Sequence, residues 1–295
     1  MKASLFTVSF AGLWGQDRLS LEEAIDKTAE LGYEGVEIMG KRPHLSPLDV
    51  SVDDCHRLRE RLDQRDLACS AVAGYTNFTG GMDAAEVPTA DMQIAYVEEL
   101  AKRAEALNCP LVRIFSAYER DDVPFITQWR RTIAAIRECC DRAAEYNVTI
   151  GLQNHHDLGV DTSMLAEMLY QIDRPNLIPM VDCWSLHLRG EDIETALADM
   201  APRMAFTTVA DYRVLKRATH RPDVTNYAPA DPPAAFAAPM GKGELPYRLF
   251  FDALADAGFD GWVSYEMCSP LRDGGALDIL ERYARTFLDY MKPWL

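Results

Sequence analysis

The stretch Gly151-Leu-Gln-Asn-His-His-Asp157 decides how the chain is read: the short apolar run 148–152 stops abruptly in five consecutive side chains that can bind metal, protons or hydroxyls. A strand that ends this way presents chemistry at its C-terminal end. Two later runs repeat the design. Residues 177–181 stop at Asp182 and residues 261–265 stop at Glu266, each followed by a segment of loop or helix character. Three polar strand ends aimed at one place make a site.

Outward from these runs the chain alternates. Apolar segments of strand length fall at 4–10, 35–39, 68–73, 111–116, 149–153, 178–182, 205–209 and 262–266. Between them lie segments of helical period with charged faces, at 21–31, 52–64, 90–106, 124–146, 163–171, 193–200, 246–257 and 277–291. Eight strand–helix units in strict alternation predict the α/β class and a single-domain (β/α)8 TIM barrel over residues 1–295. The same junction opens and closes the chain. Ala29-Glu-Leu-Gly-Tyr-Glu-Gly-Val-Glu37 and Ala255-Asp-Ala-Gly-Phe-Asp-Gly-Trp-Val263 both place a helix end, a Gly suited to a left-handed cap, an aromatic, an acid and a second Gly before a strand. The structural rival is an open doubly wound sheet. It lacks its phosphate fingerprint, because Phe10-Ala-Gly-Leu-Trp-Gly15 has the wrong spacing for GxGxxG.

Composition narrows the function. With 295 residues, 48% of them apolar, the chain can bury a full core, and its net charge of −16 argues against general affinity for nucleic acid or anionic membrane. Seven cysteines, odd in number and without CxxC spacing, read as reduced thiols in a cytoplasm. The apolar N-terminus meets Gln16, Asp17 and Arg18 early and reads as a first strand, not a signal peptide, and no apolar run approaches the roughly 20 residues that span a bilayer. One region breaks the rhythm. From 213 to 244 the chain is rich in Pro and Ala with no clear period, which predicts a functional loop covering substrate after the seventh strand, or else a dimer contact.

The most specific segments are Gly35-Val-Glu37, Val112-Arg-Ile-Phe115, Leu152-Gln-Asn-His155, Val181-Asp182 with Trp184, Thr208-Val-Ala-Asp211, and Met240-Gly-Lys-Gly-Glu244 before Tyr265-Glu266. On these the whole chain resembles the sugar-phosphate isomerase/epimerase superfamily, the xylose-isomerase-like barrels that include ketose 3-epimerases, hydroxypyruvate isomerase and inosose dehydratase. The resemblance implies a small carbohydrate substrate and one divalent metal, Mn²⁺ or Mg²⁺ before Co²⁺ or Zn²⁺. It also leaves a homodimer open. In that family the metal ligands are a Glu, an Asp, a His and a Glu ending strands five to eight. Asp182 and Glu266 match. Gln153 stands where the first Glu is usual, and Thr208, three residues before Asp211, stands where the His is usual. A Gln oxygen can still coordinate a hard cation, but it brings no charge and cannot act as a base. His155, on the same side as Gln153 if the strand stays extended, is the replacement ligand to expect.

Isomerases and epimerases of this kind shift a proton beside a carbonyl through an enediolate, which needs a base poised near the working pH. Glu266 is the expected base, with His156, Glu37 and the Gly-flanked Lys242 as candidates for a second. A single base would equally serve a lyase or dehydratase on a keto-sugar or cyclitol, and two altered metal positions keep a non-catalytic sugar-binding subunit in view. For substrate binding the candidates are Arg113, Trp184, Asp211 and His187, although Arg113 and Glu37 also read as a buried ion pair. Tyr75, Phe115, Trp184 and Trp262 are candidates to stack on a sugar ring or to fill core, and His44, His56 and His220 read as solvated.

Overall fold

The computed structural model describes residues 1–84 and 86–295. Eight strands, β1 (Lys2–Phe6), β2 (Gly35–Met39), β3 (Ala68–Ala73), β4 (Leu111–Ile114), β5 (Thr149–Gln153), β6 (Leu177–Met180), β7 (Phe206–Val209) and β10 (Trp262–Tyr265), form one sheet. Their order is β6-β5-β4-β3-β2-β1-β10-β7, and every ladder is parallel. The first strand therefore pairs with the last, which an open doubly wound sheet does not allow. At the remaining seam, between β6 and β7, the Thr207 hydroxyl donates to the Val181 carbonyl at 2.8 Å. The result is a nearly closed (β/α)8 TIM barrel.

Helices α1 (Leu21–Leu31), α2 (Val52–Asp63), α3 (Thr89–Ala106), α4 (Phe125–Ala144), α5 (Thr162–Ile172), α6 (Cys183–Arg189), α7 (Ile193–Met200), α8 (Tyr247–Asp256) and α9 (Leu277–Met291) separate the strands. The first two start on Ser capping boxes, Ser20 with Glu23 and Ser51 with Asp54, which satisfy amide groups the helix leaves free. The repeated αβ junction works as its sequence predicts. Gly32 and Gly258 take φ of 90° and 76°, and a Cβ on the second glycine of each copy would collide, Gly35 with the Trp262 ring at 2.6 Å and Gly261 with the Ala205 carbonyl at 2.3 Å. Trp262 is thus packed at the N-terminal end of the barrel, under Lys2, and not in a sugar site. Beside it Ala71, Leu111, Met180 and Phe206 fill the interior.

Two expectations change, and one is sharpened. The first strand stops at Phe6, where Thr7–Phe10 winds into a 3-10 turn, and the short helix α6 follows Asp182 directly. The Pro/Ala-rich region is an ordered ribbon, not an irregular loop: β8 (Asp211–Arg221) and β9 (Thr225–Ala238) pair antiparallel from Asp211↔Ala238 to Arg221↔Thr225. A two-stranded ribbon has free edges, so it tolerates Pro229 opposite Ala218. Among the described residues all seven cysteines are free thiols, six of them buried. No helix among the described residues is long and apolar enough to cross a membrane.

Candidate active site

The C-terminal ends of β5, β6 and β10 deliver Gln153, Asp182 and Glu266 to one cavity of about 220 Å³, which Trp184, Tyr212 and Cys268 also line. Gln153 Nε2 donates to Asp182 Oδ2 at 2.8 Å. Its other end, Oε1, is buried with no hydrogen-bond partner among the described residues. The second oxygen of Asp182 accepts the Ser185 amide at 2.7 Å and so caps α6. Burial pushes the Glu266 carboxyl up to about 7; the Cys268 thiol and the Arg113 charge pull it down, while the Glu37 and Asp182 charges raise it.

A second, larger cavity of about 960 Å³ opens beside the first and shares Gln153, His155, Glu266 and Cys268 with it. Arg113 lies in its wall, 2% exposed, with its guanidinium 4.4 Å from the centre of the Phe115 ring. Arg113 Nη2 reaches Glu37 Oε1 at 3.4 Å, while Nε and Nη1 have no acceptor among the described residues.

Several predicted site residues are placed differently. The strand does not stay extended past Gln153: the His155 amide donates to the Gln153 carbonyl at 2.9 Å, and the turn carries the exposed His155 ring to 4.7 Å from Phe115. It lines both cavities all the same. His156 is buried between Phe115 and Tyr118, with ring centres 4.5 and 4.0 Å away, and burial lowers its pKa to about 3. Such an imidazole is neutral at pH 7, and it lines the larger cavity. Glu37 is fully buried, lines neither cavity, and faces Arg113 as its counterion at 3.4 Å.

Lys242 is exposed and lines neither cavity, because Gly241 (φ 78°) and Gly243 turn their amides onto the Asp211 carboxylate at 2.9 and 2.7 Å. Asp211 also accepts the Tyr212 amide at 2.9 Å. Its carboxylate is spent on clamping the base of the ribbon, and it touches neither cavity. His187 sits exposed on α6, 6.4 Å from Trp184, and does not reach the site. Nor is His44 solvated: it is 3% exposed, with Nδ1 3.0 Å from the Thr7 hydroxyl and Nε2 3.3 Å from the Leu19 carbonyl.

Sequence reasoning missed Tyr212 and Cys268, whose Oη and Sγ are 2.8 Å apart on the cavity wall, and Lys41 at the end of β2. Cys268 carried a usable signal, since it lies two residues beyond Glu266 and shares its side of an extended chain. Among the described residues no three His, Cys, Asp or Glu side chains are grouped to hold a metal ion. A metal here would need the orphaned amide oxygen of Gln153 beside Asp182 and Glu266.

Residues 25–292 match the family described as the xylose isomerase-like TIM barrel. Over 303 aligned residues the chain is 21% identical to fructoselysine 3-epimerase of Escherichia coli O157:H7, with 100% of this chain and 98% of the relative covered. It is 23% identical over 264 residues to inosose dehydratase of Lacticaseibacillus casei, covering 84% of this chain and 82% of the relative. The solved structure of the IolI protein with a bound zinc atom superposes with a TM-score of 0.76 at 18% identity, over 100% of this chain and 99% of that one. The chain belongs to the xylose isomerase-like TIM barrel family.

Proposed function

We propose that this chain is an enzyme of the sugar isomerase and epimerase type, which moves a proton at the carbon beside the carbonyl of a small keto-sugar. The observation that carries this reading is the meeting of Gln153, Asp182 and Glu266 at three strand ends around one cavity roofed by the base of the β8–β9 ribbon. Glu266 is the base. It is the acid that both cavities share, and its neighbours Asp182 and Glu37 are already engaged, one by a helix cap and Gln153, the other by Arg113. The Glu266 carboxylate takes the proton from carbon and holds it for return to the same carbon or to the neighbouring one; in the second case the hydroxyl proton of the enediol passes between the two oxygens as the carbonyl moves.

Asp182, Glu266 and Gln153 Oε1 form an all-oxygen donor set that fits a divalent ion of the manganese or magnesium kind, and the zinc bound by the similar IolI protein supports a divalent metal in general. When bound, such an ion supplies positive charge where substrate oxygens become negative. Gln153 cannot serve as a second base, and this favours a second reading, dehydration. There Glu266 removes the proton beside the carbonyl, the C–O bond of the next hydroxyl breaks, a C=C bond forms, and water leaves with the proton. The similarity to inosose dehydratase supports that outcome.

The test is a titration of the purified, metal-free protein with Mn²⁺, followed by calorimetry and by elemental analysis. One ion per chain is expected, lost in Asp182→Ala. No binding by the wild-type protein would remove the metal-assisted reading and bring the sugar-binding subunit forward.

A further inference from the structure

The two cavities differ in kind. The smaller one, roofed by Tyr212 and Ala235, is where Glu266 meets Asp182 and Gln153. The larger, at about 960 Å³, lies at the upper end of what drug-sized ligands occupy, and a free ketose would leave most of it unfilled. Phe6, Tyr75, Tyr96, Phe115 and Tyr118 give its wall an aromatic face. Trp14 stands at its rim, 45% exposed, and is held at φ 53° between two glycines of positive φ. A large exposed aromatic kept in the left-handed region is a costly feature that ligand stacking explains.

The charge of this wall departs from that of the chain as a whole. In a chain of net charge −16, the only acid lining the larger cavity, among the described residues, is Glu266, while Lys41 and Arg113 both line it. Lys41 Nζ lies 3.6 Å from the centre of the Tyr75 ring, and Arg113 packs over Tyr75 and Phe115. Glu37 answers the Arg113 charge at 3.4 Å, so Lys41 is the cation of this wall without an ion-pair partner among the described residues, while Arg113 Nε and Nη1 remain donors without acceptors; together they favour an incoming anion.

From this geometry, and resting on the functional reading above, we infer that the substrate is a conjugate. Its keto-polyol part reacts over Glu266 in the smaller cavity. Its second part is an aromatic group bearing an oxyanion, a carboxylate or a phosphate, held in the larger cavity by the aromatic wall with Lys41 and Arg113.

Benzoate, phenyl phosphate, benzyl alcohol and inorganic phosphate are the probes, and ligand-observed NMR titration of the intact protein gives their affinities. Benzoate or phenyl phosphate should bind at least about tenfold more tightly than both benzyl alcohol and inorganic phosphate, and whichever leads identifies the oxyanion. Lys41→Met should weaken that probe at least about fivefold while leaving Mn²⁺ binding unchanged. Equal binding of benzyl alcohol would overturn the anion, equal binding of inorganic phosphate would overturn the aromatic group, and an unaffected Lys41→Met would overturn the site. None of the probes carries a keto-polyol. Failure here therefore leaves the assignment of Glu266 untouched, and an inactive Glu266 would leave this site standing.

Discussion

The two ends of the barrel are made by the same strands and are chemically opposite. At the N-terminal end Phe206, Met180, Leu111 and Ala71 close on one another, and glycines at 35 and 151 leave room for Trp262 and Met180. At the C-terminal end the strands hand over buried polar atoms with no partner among the described residues: Gln153 Oε1, Thr208 Oγ1, Arg113 Nε and Nη1, and His156 Nδ1. Each such atom costs about 1–3 kcal/mol when left unmet. These four residues line the two cavities, where a ligand can satisfy them; other unpartnered atoms, such as Thr132 Oγ1 and Arg131 Nε on α4, lie away from both. The floor supplies the stability that the mouth gives up.

The sharpest way to break this contrast is to exchange the effects. Glu266→Gln at the mouth should lower turnover by about 100- to 10,000-fold with the thermal midpoint unchanged or raised. Phe206→Ala at the floor should cost about 3–5 kcal/mol of stability and leave the turnover of the folded fraction near normal. Denaturant titration and kinetics on both variants decide it, and a floor variant with lost turnover but full stability would dissolve the distinction.

His44 sharpens the contrast, because it is a polar group near the mouth whose two ring nitrogens are both engaged. Burial lowers its pKa to about 4, against a raising effect of the Leu19 carbonyl. The folded state thus refuses a proton that the unfolded chain accepts below its usual pKa of about 6.5. The stability it confers is complete above that value and drains away as pH falls toward 4. Relative to His44→Gln, the wild-type protein should lose up to about 3 kcal/mol between pH 7 and pH 4. Chemical denaturation of the pair across that range measures it, and parallel pH curves would contradict the burial. The smallest effect belongs to Thr208→Val. Removing an unpartnered buried hydroxyl should raise stability by about 1 kcal/mol, the low end of that cost, read as an upward shift of the thermal midpoint, and a loss of stability would reveal a partner for it.

Much of the barrel was legible because its signals are local. Repeated Gly junctions, apolar runs and polar strand ends do not depend on distant parts of the chain, and they place Gln153 at the end of β5 and Asp182 and Glu266 just beyond the ends of β6 and the last strand. The β8–β9 ribbon was not legible, since its ladder uses backbone groups and its mostly solvated faces need no apolar alternation. The short α6 was hidden by length, at seven residues. At the site, sequence could place Lys242 and Asp211 after the seventh strand, but not show that Asp211 would be consumed by the amides of Gly241 and Gly243. His155 failed as an extended neighbour of Gln153 because the chain turns immediately after the strand.

The central claim is that Glu266 moves a proton beside a substrate carbonyl. Its most direct measurement is hydrogen exchange: a panel of ketoses and keto-cyclitols is incubated in D₂O with Mn²⁺ and either the wild-type or the Glu266→Gln protein, and deuterium at the carbon beside the carbonyl is followed by NMR. The wild-type protein should label at least one member at that carbon, at least about 100-fold faster than the variant. Equal labelling by the two proteins, or labelling of no member by the wild type, would contradict the account.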